Sequence, residues 1–346
     1  MRLFGRTPVA LALQGGGALG AFTWGLLDTL LACPWLSPRA FSGASAGAMN
    51  AVVTADGLLA GGPEEARARL AAFWAAVGEQ GGGFAAAPSA WESFWRSMGV
   101  APGAGFAAFD ALMKAASPYD RPLDPNPLRA ILEDLVDFER LRRARRPAVF
   151  IAATDLRTGD ARVFTNPELT PDVLLASACL PGLFRAVDID GAPYWDGGYS
   201  ANPPLVALLR RGLPRHVLLA PLNPLFRETA PETADDIAAR VNEVTFHAPY
   251  VAELKALALA KRLAREGGAT RLMGRVRRLQ LHVIDADHAL ADASAFAKIN
   301  TAASALEALR ASGQRAAEDW LAARGRRLDR SSALDFAAVS TTGVMR

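Results

Sequence analysis

The sequence predicts an α/β fold with parallel strands, and three observations carry that prediction. Short apolar runs end in glycine turns, each turn opens a helix, and this alternation occurs twice within the first 60 residues. Val9 to Gln14 is the first run, a buried strand, and Gly15-Gly16-Gly17 breaks it. A helix follows over Leu19 to Ala32, with Phe22, Leu26, Leu27 and Leu30 on related faces. Arg39 to Ser42 is the second strand and Ala46 to Leu59 the second helix, whose Ala46, Gly47, Ala48 and Ala51 demand close packing. Glu64 to Glu79 adds a third helix.

Residues 80 to 126 interrupt this alternation. Gly81-Gly82-Gly83, Gly103 and Gly105 punctuate the segment, Pro118, Pro122 and Pro125 close it, and Trp91, Phe94, Trp95 and Met98 recur at helical spacing. It reads as an aromatic helical cap inserted into the α/β unit. Beyond it the pattern gives a helix over Pro127 to Arg143, strands over Ala148 to Thr154 and Ala161 to Thr165, and a helix from Pro171 to Leu180. A hairpin of Val187 to Ile189 with Pro193 to Trp195 turns about Asp190-Gly191. Thr233 to Arg265 and Ala293 to Arg324 are long helical stretches, and His216 to Leu222 and Leu279 to Ile284 are strands. The expected organisation is a core domain over 9–225 carrying the insertion at about 80–126. A helical extension with one late strand over 226–325 packs on the same domain, and 326–346 forms a disordered tail.

Composition narrows the function. Hydrophobic residues make up 51% of the 346, much of it alanine, which is ample for a sizeable core. The net charge is only +3, and the basic residues are spread out apart from clusters such as Arg140 to Arg146 and Arg324 to Arg330. A weak attraction to anionic surfaces fits this, but a nucleic-acid reader does not. Cys33 and Cys179 make no disulfide framework, so a reducing compartment is the simpler expectation. The apolar run after Arg6 is too short for a signal peptide and no stretch is long enough to span a bilayer. A cytoplasmic chain, soluble or peripheral to a membrane, is expected.

Three clusters carry chemistry. Gly15-Gly16-Gly17-Ala18-Leu19-Gly20 lies between a strand and a helix, where glycines let backbone N–H groups approach an anion and the helix dipole assists. The same residues satisfy the dinucleotide fingerprint, yet no Asp or Glu occurs from Leu30 to Ala55, where a nucleotide-binding unit needs its acid. Gly43-Ala44-Ser45-Ala46-Gly47 is a nucleophile elbow in its required strand-to-helix context, leaving the serine projecting and the next N–H free for an oxyanion. A histidine base is the usual companion of such a serine. The four histidines, His216, His247, His282 and His288, sit in ordinary helical or strand settings. Tyr194-Trp195-Asp196-Gly197-Gly198-Tyr199, followed by Asn202-Pro203-Pro204, places a lone carboxylate at a strand end. Two glycines after an Asp also suit a plain turn, but beside Ser45 and the glycine loop Asp196 supplies the missing base.

With these residues in that order, the chain resembles the patatin-like phospholipase family, which carries a glycine-rich oxyanion loop, a G-x-S-x-G serine and a D-G-[GA] aspartate. The segment Ala176-Ser177-Ala178-Cys179-Leu180-Pro181-Gly182-Leu183-Phe184 also looks like the one preceding the family's aspartate, and the resemblance runs from about Val9 to about Asn223. It implies a three-layer α/β fold, a mostly parallel central sheet flanked by helices. It also implies a Ser45–Asp196 dyad, with the N–H groups of Gly15, Gly16, Gly17 and Ala18 and that of Ala46 as the oxyanion hole. Gly20, Gly43, Gly47, Gly197 and Gly198 are the motif glycines. The implied activity is hydrolysis of fatty-acid esters in phospholipid, lysophospholipid or glyceride at a membrane or lipid aggregate, with no cofactor and no metal. One departure is Leu19, where the family usually has Lys or Arg, and it leaves the head group open. Trp91, Phe94, Trp95 and Met98 are either core or a lid that loads acyl chains. A non-catalytic lipid-binding protein on this fold and a histidine-dependent esterase are the competing readings.

Overall fold

The computed structural model describes residues 6–79, 117–120, 126–181, 183–210, 212–222, 230–266, 271–284, 290, 300–324 and 328. At its centre is β1 (Thr7–Leu13), paired in parallel with β2 (Leu36–Gly43) on one edge and with β7 (His216–Ala220) on the other. β3 (Ala148–Asp155) extends the sheet beyond β2, and β8 (Gln280–Val283) extends it beyond β7, both in parallel. β4 (Ala161–Thr165), β5 (Val187–Ile189) and β6 (Ala192–Asp196) add antiparallel pairings, so the sheet runs β5-β6-β3-β2-β1-β7-β8 with β4 also on β3. The expected mostly parallel sheet flanked by helices is present.

The strand side-chain period of two sorts this sheet's residues to its faces. Leu11, Leu13, Phe41, Ile151 and Leu218 join one buried cluster, which also holds residues of α1 (Gly20–Ala32), α2 (Ala46–Ala60) and α3 (residues 63–79). Ala10, Ala12, Phe150, Val217, Leu219 and Leu281 form the other cluster, closed by Tyr250, Leu254 and Leu257 of a long helix. Near-continuous apolar runs with both faces covered are what parallel strands require.

The helix read over Pro127 to Arg143 is two, α4 (Leu128–Leu135) and α5 (Phe138–Arg143). Val136 turns extended and the Asp137 side chain caps the second by accepting from Arg140 N at 2.9 Å. The helix expected to reach Leu180 ends sooner, as α6 (Pro171–Ser177). The long stretch is α7 (Ala234–Glu266), followed by α8 (Arg271–Arg278). The last helix, expected from Ala293, is α9 (Ala303–Arg324) within the described residues, since 300–302 are not helical. Of the expected cap at about 80–126 only 117–120 and 126 are described, and Trp91, Phe94, Trp95 and Met98 lie outside the described residues. So does the tail, except Leu328.

α9 returns to the front of the chain and lies against α1 at unusually short range. A Cβ on Gly313 would collide with the Phe22 carbonyl, and one on Gly25 with the Arg310 carbonyl. Beside this crossing the buried Asp28 of α1 accepts from Arg67 at 2.6 Å, Gln314 at 2.7 Å and Arg310 at 3.1 Å. Burial raises its pKa, but the hydrogen bonds outweigh that and hold it below the usual carboxylate value. Replacing Gly313 by Val forces the two helices apart. We expect a loss of about 3 kcal/mol in stability, read from the urea midpoint, because overpacking a fixed backbone contact is costly.

Candidate active site

Ser45 stands on the turn between β2 and α2 with φ 53° and ψ −127°, a backbone conformation that side-chain-bearing residues rarely adopt. Two glycines permit the turn. A Cβ on Gly47 would strike the Leu13 carbonyl, and one on Gly43 would lie 2.6 Å from the Gly47 carbonyl carbon. α6 holds the turn from the side: Ser45 N donates to Ser177 O at 3.1 Å and to Ser177 Oγ at 3.0 Å. Ser45 is 7% exposed and Ser177 fully buried.

Strand pairing brings Asp196 to the same place. β3 pairs with β2 from Ala148 to Ile151, where Gly43 lies opposite Ile151. β4 occupies the other edge of β3 from Phe150 to Thr154. β6, pairing Asp196 with Ala153, therefore takes the edge that β2 has just vacated. Gly43 and Asp196 are thus two residues apart along β3, roughly 7 Å. Asp196 N donates to Cys179 O at 2.8 Å, and Asp196 O accepts from Thr154 Oγ1 at 2.7 Å, which fixes its backbone.

The Asp196 carboxyl is fully buried. Its Oδ1 accepts from Gly198 N at 2.7 Å, while Oδ2 has no hydrogen-bond partner. Burial pushes its pKa up to about 7, moderated by the Gly198 amide and by the Ser45 hydroxyl. The Ser45 hydroxyl is thus among the groups that the carboxyl senses, though not through a hydrogen bond of regular geometry, since Oδ2 remains unpaired.

The glycine loop completes the cluster. A Cβ on Gly15 would stand 2.8 Å from Ser45 Cβ, so the loop runs directly past the serine. Gly17 to Leu19 form a 3-10 turn that leads into α1, with Gly17 at φ 60°. One expected donor needs correcting. The Gly15 N–H is committed to Asn202 Oδ1 at 2.7 Å and is not available to an oxyanion. Gly16, Gly17 and Ala18 remain as loop candidates and Ala46 as the candidate on the elbow. Leu19 is 2% exposed and packed in the core, so it presents nothing to a ligand.

Sequence reasoning missed the residues that hold these parts together. Asn202 ties Gly15 N to the carbonyl of Phe246 on α7, donating to it at 3.1 Å. Gln14 accepts from Leu222 N at 2.6 Å. Asn50 donates to Gly20 O at 2.9 Å and accepts from Trp74 at 3.0 Å, anchoring the start of α1. The Asn-Pro-Pro after Asp196 was a visible signal for Asn202; Ser177 lies in the segment that resembles the one preceding the family's aspartate, but nothing there pointed to its bond with Ser45. Of the histidines, His216 faces Val9 at the far end of the sheet and bonds His282 at 3.2 Å, and His288 lies outside the described residues.

A mainly parallel α/β sheet that presents a serine at positive φ on a strand-to-helix turn belongs to the nucleophile-elbow class. The patatin-like phospholipase family model matches residues 11–209, more than half of the chain, and the chain belongs to that family. A crystal structure of VipD from Legionella pneumophila is similar at 14% identity and a TM-score of 0.38, over 91% of this chain and 67% of that one. No curated protein matches the chain by sequence. Among the described residues, no helix is long and apolar enough to cross a membrane.

Replacing Asn202 by Ala strands the buried Gly15 N–H and removes the side-chain tie from this loop to the Phe246 carbonyl of α7. The expected result is a stability loss of about 2 kcal/mol, the cost of leaving a buried polar group unpaired. Hydrogen exchange of the peptide carrying Gly15 should accelerate while the sheet peptides stay protected.

Proposed function

We propose that this chain is a lipid acyl hydrolase that cleaves fatty-acid esters of phospholipid, lysophospholipid or glyceride through a Ser45–Asp196 dyad. The observation that carries the reading is a buried carboxylate oxygen without a partner, Asp196 Oδ2, beside a serine held on a strained elbow. Family membership supports the lipid ester as substrate class.

In the first step Asp196 takes the Ser45 hydroxyl proton as Oγ attacks the ester carbonyl. The developing oxyanion is received by the N–H groups of Gly16, Gly17, Ala18 and Ala46. Collapse forms the Ser45 acyl ester and breaks the bond to the alcohol, which leaves with the proton that Asp196 held. Water then repeats the sequence on the acyl ester, releasing the fatty acid and restoring the serine. A carboxylate at its ordinary pKa near 3.9 is a weak base for an alcohol. Burial lifts Asp196 to about 7, where it accepts a proton far more readily while still being ionised above neutral pH. The reading places the dyad in residues 9–225 and its lipid at a membrane or aggregate surface, with the protein peripheral to it.

Fluorophosphonate labelling tests the assignment. Labelling should disappear in Ser45→Ala, fall by at least about a hundredfold in Asp196→Asn, and persist in His288→Ala. Retained labelling in Asp196→Asn with loss in the histidine variant would sink the dyad.

The raised pKa gives two signs. Activity requires the ionised carboxylate, so turnover should climb through about pH 7 and level off above it. A folded pKa above the unfolded one contributes stability that is fully present below about pH 4 and lost as pH rises through about 7. Asp196→Asn should therefore raise the melting temperature more at pH 8 than at pH 5. A shift independent of pH would show that the group is not perturbed.

A further inference from the structure

α7 is apolar on two opposite faces. Tyr250, Leu254 and Leu257 are buried against the sheet. On the outward side Ile237 is 47% exposed, Val241 60%, Val244 50%, and Leu259 and Leu263 47% each. These positions, with the exposed Ala248, Ala252 and Lys255 between them, follow one another by three or four residues and so fall in one stripe along the helix. The stripe is roughly 39 Å long at the helical rise of 1.5 Å per residue. A surface helix normally keeps one apolar face and sets polar residues on the other.

The second half of this surface is strongly basic. Between Lys255 and Arg278 there are eight Lys and Arg against a single acid, Glu266, although the whole chain carries only +3. Lys255, Arg262, Arg265, Arg271, Arg277 and Arg278 are all exposed. α8, which packs against α7, adds an exposed Leu272 at 53%. Apolar side chains in a row with cations beside them match the chemistry of a bilayer interface, whose anionic head groups lie just above acyl chains.

We propose that the outward face of α7, with α8, is a docking surface for an anionic lipid bilayer. The helix lies flat on the membrane, Ile237, Val241, Val244, Leu259 and Leu263 enter the boundary between head groups and acyl chains, and the arginines meet lipid phosphates. The opposite face of α7 reaches the candidate site directly: the Phe246 carbonyl accepts from Asn202, and its ring lies 2.4 Å from where a Cβ on Gly198 would be. Docking thus holds that site one helix diameter from the lipid. The proposal draws its purpose from the lipid-hydrolase reading, but its test does not depend on it.

Flotation of the full chain with vesicles of phosphatidylcholine, alone or enriched in phosphatidylglycerol, measures the partition directly. Wild type should float with the anionic vesicles and be released by high salt, since screening weakens the cationic contribution. The double change Val241→Asp with Leu259→Asp should lower the partition at least about tenfold, from the burial free energy of the two lost side chains. Arg271→Glu with Arg277→Glu should abolish the preference for phosphatidylglycerol. Hydrolysis of a short soluble ester should be unchanged in both variants, which separates a failed surface from a failed active site. No binding of wild type to either vesicle overturns the proposal. So does equal binding by the Asp variant. Conversion of a wild-type dimer to a monomer by Val241→Asp, seen by sedimentation without vesicle binding, would make the face a contact between two copies and overturn it as well.

Discussion

Ser45 is held in a backbone conformation that costs of the order of 1–3 kcal/mol for a residue with a side chain, and its surroundings keep it there. Gly47 lets α2 start against the Leu13 carbonyl, and Ser177 receives the Ser45 amide on two oxygens. The end of α6 thereby serves both halves of the candidate site, since Cys179, two residues on, receives the Asp196 amide. The elbow and the carboxylate are set against each other through one short segment, not through their own side chains. This explains how a buried, half-satisfied carboxylate survives: its backbone is fixed on both sides before its side chain is asked to do anything.

The parts of the fold that were legible in the sequence are those whose signal is local. β1, α1, β2 and α2 follow from apolar runs and glycines within 60 residues, and Asp190-Gly191 gives its hairpin through two positive φ values. Ser45 and Asp196 were legible because each sits in a short motif that only its backbone geometry explains. What could not be read is whatever depends on a partner far along the chain. Asn202 reaches back 187 residues to Gly15, and Ser177 reaches back 132 to Ser45, with no spacing rule to link them. The Gly15 N–H was assigned to an oxyanion for the same reason, because its competitor was invisible. Val136-Asp137 failed differently: an Asp amid Leu, Arg and Glu suits an exposed helical position as well as an N-cap, and tertiary packing decided between them.

α7 joins two roles that sequence periodicity cannot separate. Its buried row packs on the sheet and closes on Asn202 and Gly198, so the helix belongs to the support of the candidate site. Its outward row has the same spacing and the same residue types, and only exposure tells the rows apart. A helix with apolar rows on two opposite faces would ordinarily have both of them covered. Here it is the outermost layer on that face of the described structure.

The crossing of α9 on α1 has a consequence for the order of assembly. α1 carries the glycine loop at its start, and its Phe22 and Gly25 are braced by residues around Arg310 and Gly313. A ribosome delivers the elbow, the carboxylate and the loop long before it delivers that brace. During synthesis the candidate residues, complete once Asp196 has been added, therefore precede Gly313 by 117 residues. Until α9 has emerged, the backbone of α1 at Phe22 and Gly25 lacks the close contact with Arg310 and Gly313 that it makes in the folded chain.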